Sequence, residues 1–216
     1  MTTERLGLED AAAPWWGEAQ LALSALDPVF AAIIASSGSA ALSSRGDPFT
    51  TLARSIVGQQ ISVKAAQSVW DRVLLAAAAE TTPARILALG PDALRACGLS
   101  ARKVEYLSDL AVHFERGELQ PERWPELDDE AVIEQLVQVR GIGRWTAEMF
   151  LIFNLLRPDV LPLDDIGLLK GIGVHWHGGI TPTRGQARER AQAWAPWRTA
   201  ATWYLWRSLD PVPVAY

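Results

Sequence analysis

The sequence predicts an all-α protein. Apolar residues recur at helical spacing, as at Val63, Ala66, Val69, Trp70 and Val73. Helix starts and stops punctuate the chain: Ser62, Thr82-Pro83 and Ser100 open segments, and Gly90, Gly98 and Gly117 close them. No alternating β-branched run flanks a two-residue turn, so no sheet is expected.

In chain order, residues 20–36 read as helical and the small-residue stretch 36–46 as a loop. Next comes S-I-V-G-Q-Q-I-S at 55–62. A glycine inside a helical pattern costs roughly 1 kcal/mol against alanine, and two glutamines follow where apolar residues belong. The segment is either a plain helix break with solvated glutamines or a loop that sets amide side chains against a base. Ser62 caps the next helix. Thr82-Pro83 starts a short one ended by Gly90, and Pro91 starts another that stops at Gly98. Ser100 caps a helix whose face is Val104, Leu107, Leu110, Ala111 and Phe114. Asp128, Asp129 and Glu130 put negative charge in the first turn of the following helix, where the dipole favours it.

That helix runs into V-Q-V-R-G-I-G-R-W-T-A at 137–147. Two glycines bracketing one hydrophobe predict a tight hairpin between helices, because glycine turns sharply without strain. The second helix, expected to run to Pro158, opens with N–H groups that have no intrahelical acceptor, a natural seat for phosphate. About twenty residues on, P-L-D-D-I-G-L at 162–168 offers two carboxylates. Ala195-Pro196 breaks the chain before a tryptophan-rich helix towards Leu209. For any one of the ten tryptophans core packing is the default, yet indole is also the best stacking surface for an extruded base.

Composition bounds the function. At 216 residues the chain can hold one large or two small domains. Hydrophobics at 49% and charged residues at 21% describe a soluble globule, and the uncharged run near 149–156 is too short to span a bilayer. The opening MTTERLGLED carries acids where a signal peptide needs a basic and then an apolar run. A cytoplasmic protein is expected, nucleoid-associated in a bacterium. The lone Cys97 excludes an intrachain disulfide and a thiolate-held iron–sulfur cluster, and reads as a small buried hydrophobe. Net charge is −5, but residues from Arg140 onward carry nine Arg and Lys against six acids, leaving −8 on residues 1–139. Nucleic-acid binding would rest on amides more than on a cationic field, with weak salt-dependent affinity.

Five motifs carry a resemblance: I-V-G-Q-Q-I-S at 56–62, G-L-S-A-R-K at 98–103, V-R-G-I-G-R-W-T-A at 139–147, P-L-D-D-I-G-L at 162–168 and P-W-R-T-A-A-T-W-Y-L-W at 196–206. In this order and spacing, residues 49–209 resemble the helix-hairpin-helix (HhH-GPD) DNA glycosylases, in the DNA-3-methyladenine glycosylase II branch. The resemblance implies two helical subdomains flanking a cleft: residues 49–160 as the bundle carrying the hairpin, and residues 1–48 plus 161–216 as a second subdomain carrying the catalytic acid. That acid is Asp165, which would stabilise the oxocarbenium-like sugar and orient the attacking water; it also suits a helix cap before Ile166. Asp164 would be a supporting acid at the base pocket, or a second cap.

Family members that also nick the strand hold a Schiff-base lysine where this chain has Trp145, so hydrolysis without strand cleavage is implied. Trp145, Met149, Trp203 and Tyr204 would line the base pocket, where electron-rich rings attract a cationic alkylpurine. Gly141, Gly143, Arg144 and Thr146 would grip a phosphate. Gln60, beside Gln59, would enter the gap left by the extruded nucleotide. Main-chain carbonyls of Val137, Val139 and Ile142 resemble the family's monovalent-cation seat, for Na+ or K+; no other cofactor is expected. The implied partner is double-stranded DNA containing alkylated bases, bound by a monomer, with no membrane role.

The chain departs from better-known relatives at Gln60 (an apolar wedge there), Arg140 (a proline), and Met149 and Ile166 (aromatics), which implies a roomier, less aromatic pocket. The helical reading before residue 49 implies no N-terminal β domain. 3-Methyladenine, 7-methylguanine, 1-methyladenine and ethenoadenine all remain open as substrates. The alternatives are a glycosylase for adenine mispairs or oxidised pyrimidines, disfavoured by the missing cluster cysteines and lysine, and a non-enzymatic damage-binding module. His175-Trp176-His177 lacks a third metal ligand at suitable spacing.

Overall fold

Most helices of this chain begin at a side chain that takes over an orphan backbone N–H. Asp27, Asp47, Ser62, Thr82, Ser100, Asp128, Asp165 and Thr183 all do so, and Thr183 with Gln186 closes a full capping box. The computed structural model describes residues 12–209. Among them the chain is helical with no strand, only an isolated antiparallel bridge between Ala12 and Ser43. The helices are α1 Trp16–Leu26, α2 Pro28–Ser36, α3 Pro48–Gly58, α4 Val63–Ala76, α5 Pro83–Ala96, α6 Ala101–Glu115, α7 Asp129–Leu136, α8 Arg144–Phe153, α9 Ile166–Trp176, α10 Arg184–Ala191 and α11 Arg198–Leu209. Short 3-10 turns lie at Pro121–Glu126 and Gln192–Trp194. No helix among the described residues is long and apolar enough to cross a membrane. The opening decapeptide and Asp210, used above for targeting and charge, lie outside the described residues.

One local expectation is refined and another corrected. Residues 20–36 are helical as read, in two helices. Asp27 is extended (φ −150°, ψ 128°) ahead of Pro28, and its carboxylate accepts from Val29 N at 2.9 Å, so α1 stops and α2 starts there. The helix after the hairpin ends at Phe153 and does not run to Pro158. Leu156 takes a positive φ of 52°, and Arg157 N returns to Leu151 O at 2.9 Å. The kink at Gly90 (φ 70°) before Pro91 falls where the sequence places it.

The described residues divide into two units, 12–44 with 151–209, and 45–150. The second boundary lies within α8, ahead of the expected break after residue 160. The reason is what the segment after Phe150 touches. Phe153 stacks on Trp206 at 5.8 Å, Asn154 O accepts from Ser44 Oγ at 2.9 Å, and Asp159 holds the Arg198 guanidinium through two bonds of 2.6 Å. All of these partners belong to the first unit.

Each unit has its own aromatic core. In residues 45–150, Phe49, Phe114, Trp124 and Phe150 meet edge to face in sequence, and Trp124 donates to Gln135 Oε1 at 2.9 Å. In the other unit Trp16 packs on Trp203 and Tyr204, while Phe30 packs on Trp176 and Trp194. There α9 lies close against α11 because Gly171 has no side chain: a Cβ would sit 2.9 Å from Leu205 Cβ.

Candidate active site

Asp165 occupies the N-cap of α9, with its backbone extended at φ −80°, ψ 117°. Its Oδ1 accepts two N–H groups, Leu168 N at 2.6 Å and the Trp206 indole Nε1 at 2.7 Å. The first bond is the cap read from sequence. The second comes from α11 and fixes the carboxylate from another direction. Trp206 is itself held by Phe153, their rings stacked at an interplanar angle of 16°. Gly167 makes the approach possible: a Cβ there would lie 2.9 Å from Trp206 Cδ1, 3.0 Å from Nε1 and 3.1 Å from Asp165 Oδ1. One missing methyl thus admits the indole to the carboxylate. Sequence reasoning missed Trp206 as a site residue, although Gly167 and Gly171, four apart on α9, were the available signal.

Three expected pocket residues belong elsewhere. Tyr204 is fully buried, its hydroxyl accepting from Gln20 Nε2 at 2.7 Å, and burial pushes its pKa up. Trp203 is also buried, wedged against Trp16 and Tyr204 with the Arg207 guanidinium 5.1 Å over its ring. Both are core residues of their unit, not open pocket walls. Asp164 is exposed and pairs with Arg184 Nη2 at 2.6 Å, so it is a surface ion-pair partner. Trp145 by contrast keeps 36% of its surface exposed, and Met149, half-buried, follows it one turn along α8.

The hairpin lies in the other unit. Gly141 has φ 83°, and a Cβ on it would run into the Tyr106 ring. Gly143 needs no positive φ, and a Cβ there would meet nothing within 4 Å. The two glycines therefore serve different ends, the first a turn and the second an open approach to the backbone. The first α8 bond runs from Ala147 N to Gly143 O at 3.0 Å, so the amides of 144–146 precede the helix ladder. Thr146 is buried.

Arg144 is a clamp and not a free phosphate ligand. Its Nη1 and Nη2 hold both oxygens of Glu130 at 2.6 and 2.7 Å, and its Nε reaches Glu148 Oε1 at 3.1 Å. These bonds push the guanidinium pKa up and hold the Glu130 carboxyl below the usual carboxylate range. Gln59 is likewise engaged, donating to Gly141 O at 2.9 Å. Gln60 is exposed with a left-handed φ of 59°. His175 Nε2 sits 2.8 Å from Ser208 Oγ, and no trio of metal-ligating side chains gathers among the described residues.

The family model for HhH-GPD superfamily base excision DNA repair proteins matches residues 53–198, which include both the hairpin and Asp165. The chain belongs to the HhH-GPD superfamily. This HhH-GPD protein is 37% identical to DNA-3-methyladenine glycosylase 1 of Schizosaccharomyces pombe over 75% of its own length and 72% of that protein. It is similar in structure to Mag1, the S. pombe 3-methyladenine DNA glycosylase solved in complex with abasic DNA. That match has a TM-score of 0.79 and 34% identity, covering 88% of this chain and 96% of that one. A DNA-3-methyladenine glycosidase from Bacillus halodurans matches with a TM-score of 0.75 and 37% identity over 79% of each chain.

Proposed function

We propose that this chain is a monofunctional DNA glycosylase that hydrolyses alkylated bases of the 3-methyladenine type from duplex DNA, leaving an abasic site for base excision repair. The observation that carries this is the twice-held carboxylate of Asp165 in a chain of the HhH-GPD superfamily. The names of its relatives support the substrate class, and the Mag1 complex with abasic DNA supports duplex DNA as the partner.

The chemistry follows from one fixed anion. As the C1′–N bond breaks, its electron pair leaves with the base and positive charge spreads over the sugar. A carboxylate held in place stabilises that charge without reorganising. Water then bonds to C1′, and its proton passes to the carboxylate and on to solvent. An alkylated purine already carries positive charge, so it departs neutral and needs no general acid. Trp145 stands where strand-nicking relatives carry lysine, so no amine attacks the sugar. Trp206 and Phe153 supply the aromatic stack beside Asp165 that Trp203 and Tyr204 do not.

On the hairpin, the first-turn amides of α8 and the open face of Gly143 suit one phosphate. The Val137, Val139 and Ile142 carbonyls suit a monovalent cation: Val139 O takes one bond, from Ile142 N at 3.1 Å, and keeps a second lone pair for a metal ion.

Asp165→Asn tests the assignment. Excision from a duplex with one 3-methyladenine analogue should fall by at least about a thousandfold, the scale of losing a main electrostatic stabiliser, while abasic-site DNA is still bound. Retained excision would overturn it, and a wild type that binds lesions but releases no base from any alkylated duplex would leave a binding module.

A further inference from the structure

Gln59 and Gly141 are 82 residues apart in sequence, yet one hydrogen bond between them joins the turn that carries Gln60 to the hairpin. Gln59 closes α3 with an extended backbone (φ −53°, ψ 131°), and its Nε2 donates to Gly141 O at 2.9 Å. The next residue, Gln60, is exposed and left-handed at φ 59°, a strained state that for a glutamine persists only where its surroundings hold it. Both loops rest on one face of α6. Lys103, Tyr106 and Asp109 recur every third residue there, so they point the same way. Lys103 Nζ donates to Val57 O at 2.7 Å, at the end of α3. Tyr106 fills the space a side chain on Gly141 would need, and Asp109 Oδ2 accepts from Arg140 N at 2.8 Å.

We infer that Gln59 is a positioning residue, not a DNA ligand. It couples the Gln60 turn to the hairpin, so that the probe entering the duplex and the grip on the phosphate act as one rigid piece. α6 supplies the bed and Gln59 the lock. Because this rests on the reading of Gln60 and the hairpin as DNA-contacting, the test separates the two.

The lock is tested first without DNA. In Gln59→Ala and the near-isosteric Gln59→Glu, amide hydrogen exchange should quicken at both 58–62 and 140–143, with the melting temperature of the folded protein within a few degrees of wild type. Quickening at 58–62 alone would overturn the coupling. Excision is tested second, in a double-mutant cycle with Gln60→Ala. Gln59→Ala should lower single-turnover excision by about five- to tenfold, the rate equivalent of one hydrogen bond, with affinity for undamaged duplex unchanged. In that background Gln60→Ala should cost little more. Losses that multiply, or an equal fall in affinity for damaged and undamaged DNA, would make Gln59 an independent contact and sink the inference alone. A Gln60→Ala protein with full excision would sink the reading beneath it and the inference too.

Discussion

At the scale of single residues, the indole of Trp206 and the missing side chain of Gly167 decide how Asp165 is held. A hydrogen bond to a charged group is worth about 1.5–3 kcal/mol. Trp206→Phe keeps a ring against Phe153 but removes the donor, and should cut kcat by about ten- to a hundredfold with little change in KM. A change confined to KM would mean that Trp206 binds the base instead of fixing the carboxylate. Gly167→Ala places a methyl 2.9 Å from the same ring. Helix propensity alone would stabilise that variant by about 1 kcal/mol, whereas overpacking costs about 1–3 kcal/mol. Denaturant melts should show net destabilisation, with excision falling as the indole is displaced; a stabilised, active Gly167→Ala refutes the close approach. Asp165 was legible because the P-L-D-D motif marks it. Trp206 was not, since it and Trp203 sit one turn apart on α11 and only the closeness of α9 decides which meets the carboxylate. Gln60 illustrates a different trade. Gln60→Gly should raise stability by about 1 kcal/mol through relief of the positive φ, and lower excision by removing the probe. Raised stability with unaltered excision would leave the strain without a purpose.

At the scale of elements, the α7–hairpin–α8 module is set by what lies beneath Gly141 and beside Arg144. Gly141→Ala meets two penalties, a strained φ and the Tyr106 ring, and should destabilise residues 45–150 by about 2 kcal/mol or more. Adding Tyr106→Ala should recover the steric part and leave the backbone part; no recovery at all would mean the ring is not the obstacle. The Arg144 clamp carries a pH signature. Glu130 is held below its ordinary range, so the folded state binds fewer protons than the unfolded one near that range. The clamp's stabilisation is therefore present above about pH 4.3 and lost as pH falls through the lowered value. Glu130→Gln should flatten that part of the acid dependence of Tm, and parallel curves for the two proteins would refute the linkage. The hairpin was readable from G-I-G, whereas Arg144 was read as a phosphate contact and its bond to Glu148 was missed. The Glu130 partner was not readable either, because its distance from Arg144 depends on how α7 returns to α8. A sequence displays a charge without displaying what neutralises it.

For the whole molecule, helix periodicity and caps were enough for the all-α architecture, because both are local signals. The unit boundary inside α8 was not, because it depends on Phe153 meeting Trp206, a contact between residues far apart in the chain. The tryptophans divide in the same way: Trp16, Trp70, Trp124, Trp194 and Trp203 are buried as composition alone would suggest, while Trp145 and Trp206 keep surface. Charge follows a similar logic at larger scale. The chain is −5 overall and Arg144 is neutralised by two carboxylates, so the grip proposed for the hairpin rests on amides. Counterion release then has little to act on. The logarithm of the binding constant for abasic duplex should fall with the logarithm of salt concentration with a slope of about −1 to −3, equivalent to one to three phosphates. Arg144→Gln should leave that slope unchanged, since Glu130 and Glu148 already take up the guanidinium. A slope as steep as about −6 would reveal a broad cationic contact in place of an amide grip, and a slope reduced by about one unit in Arg144→Gln would return that side chain to the phosphate.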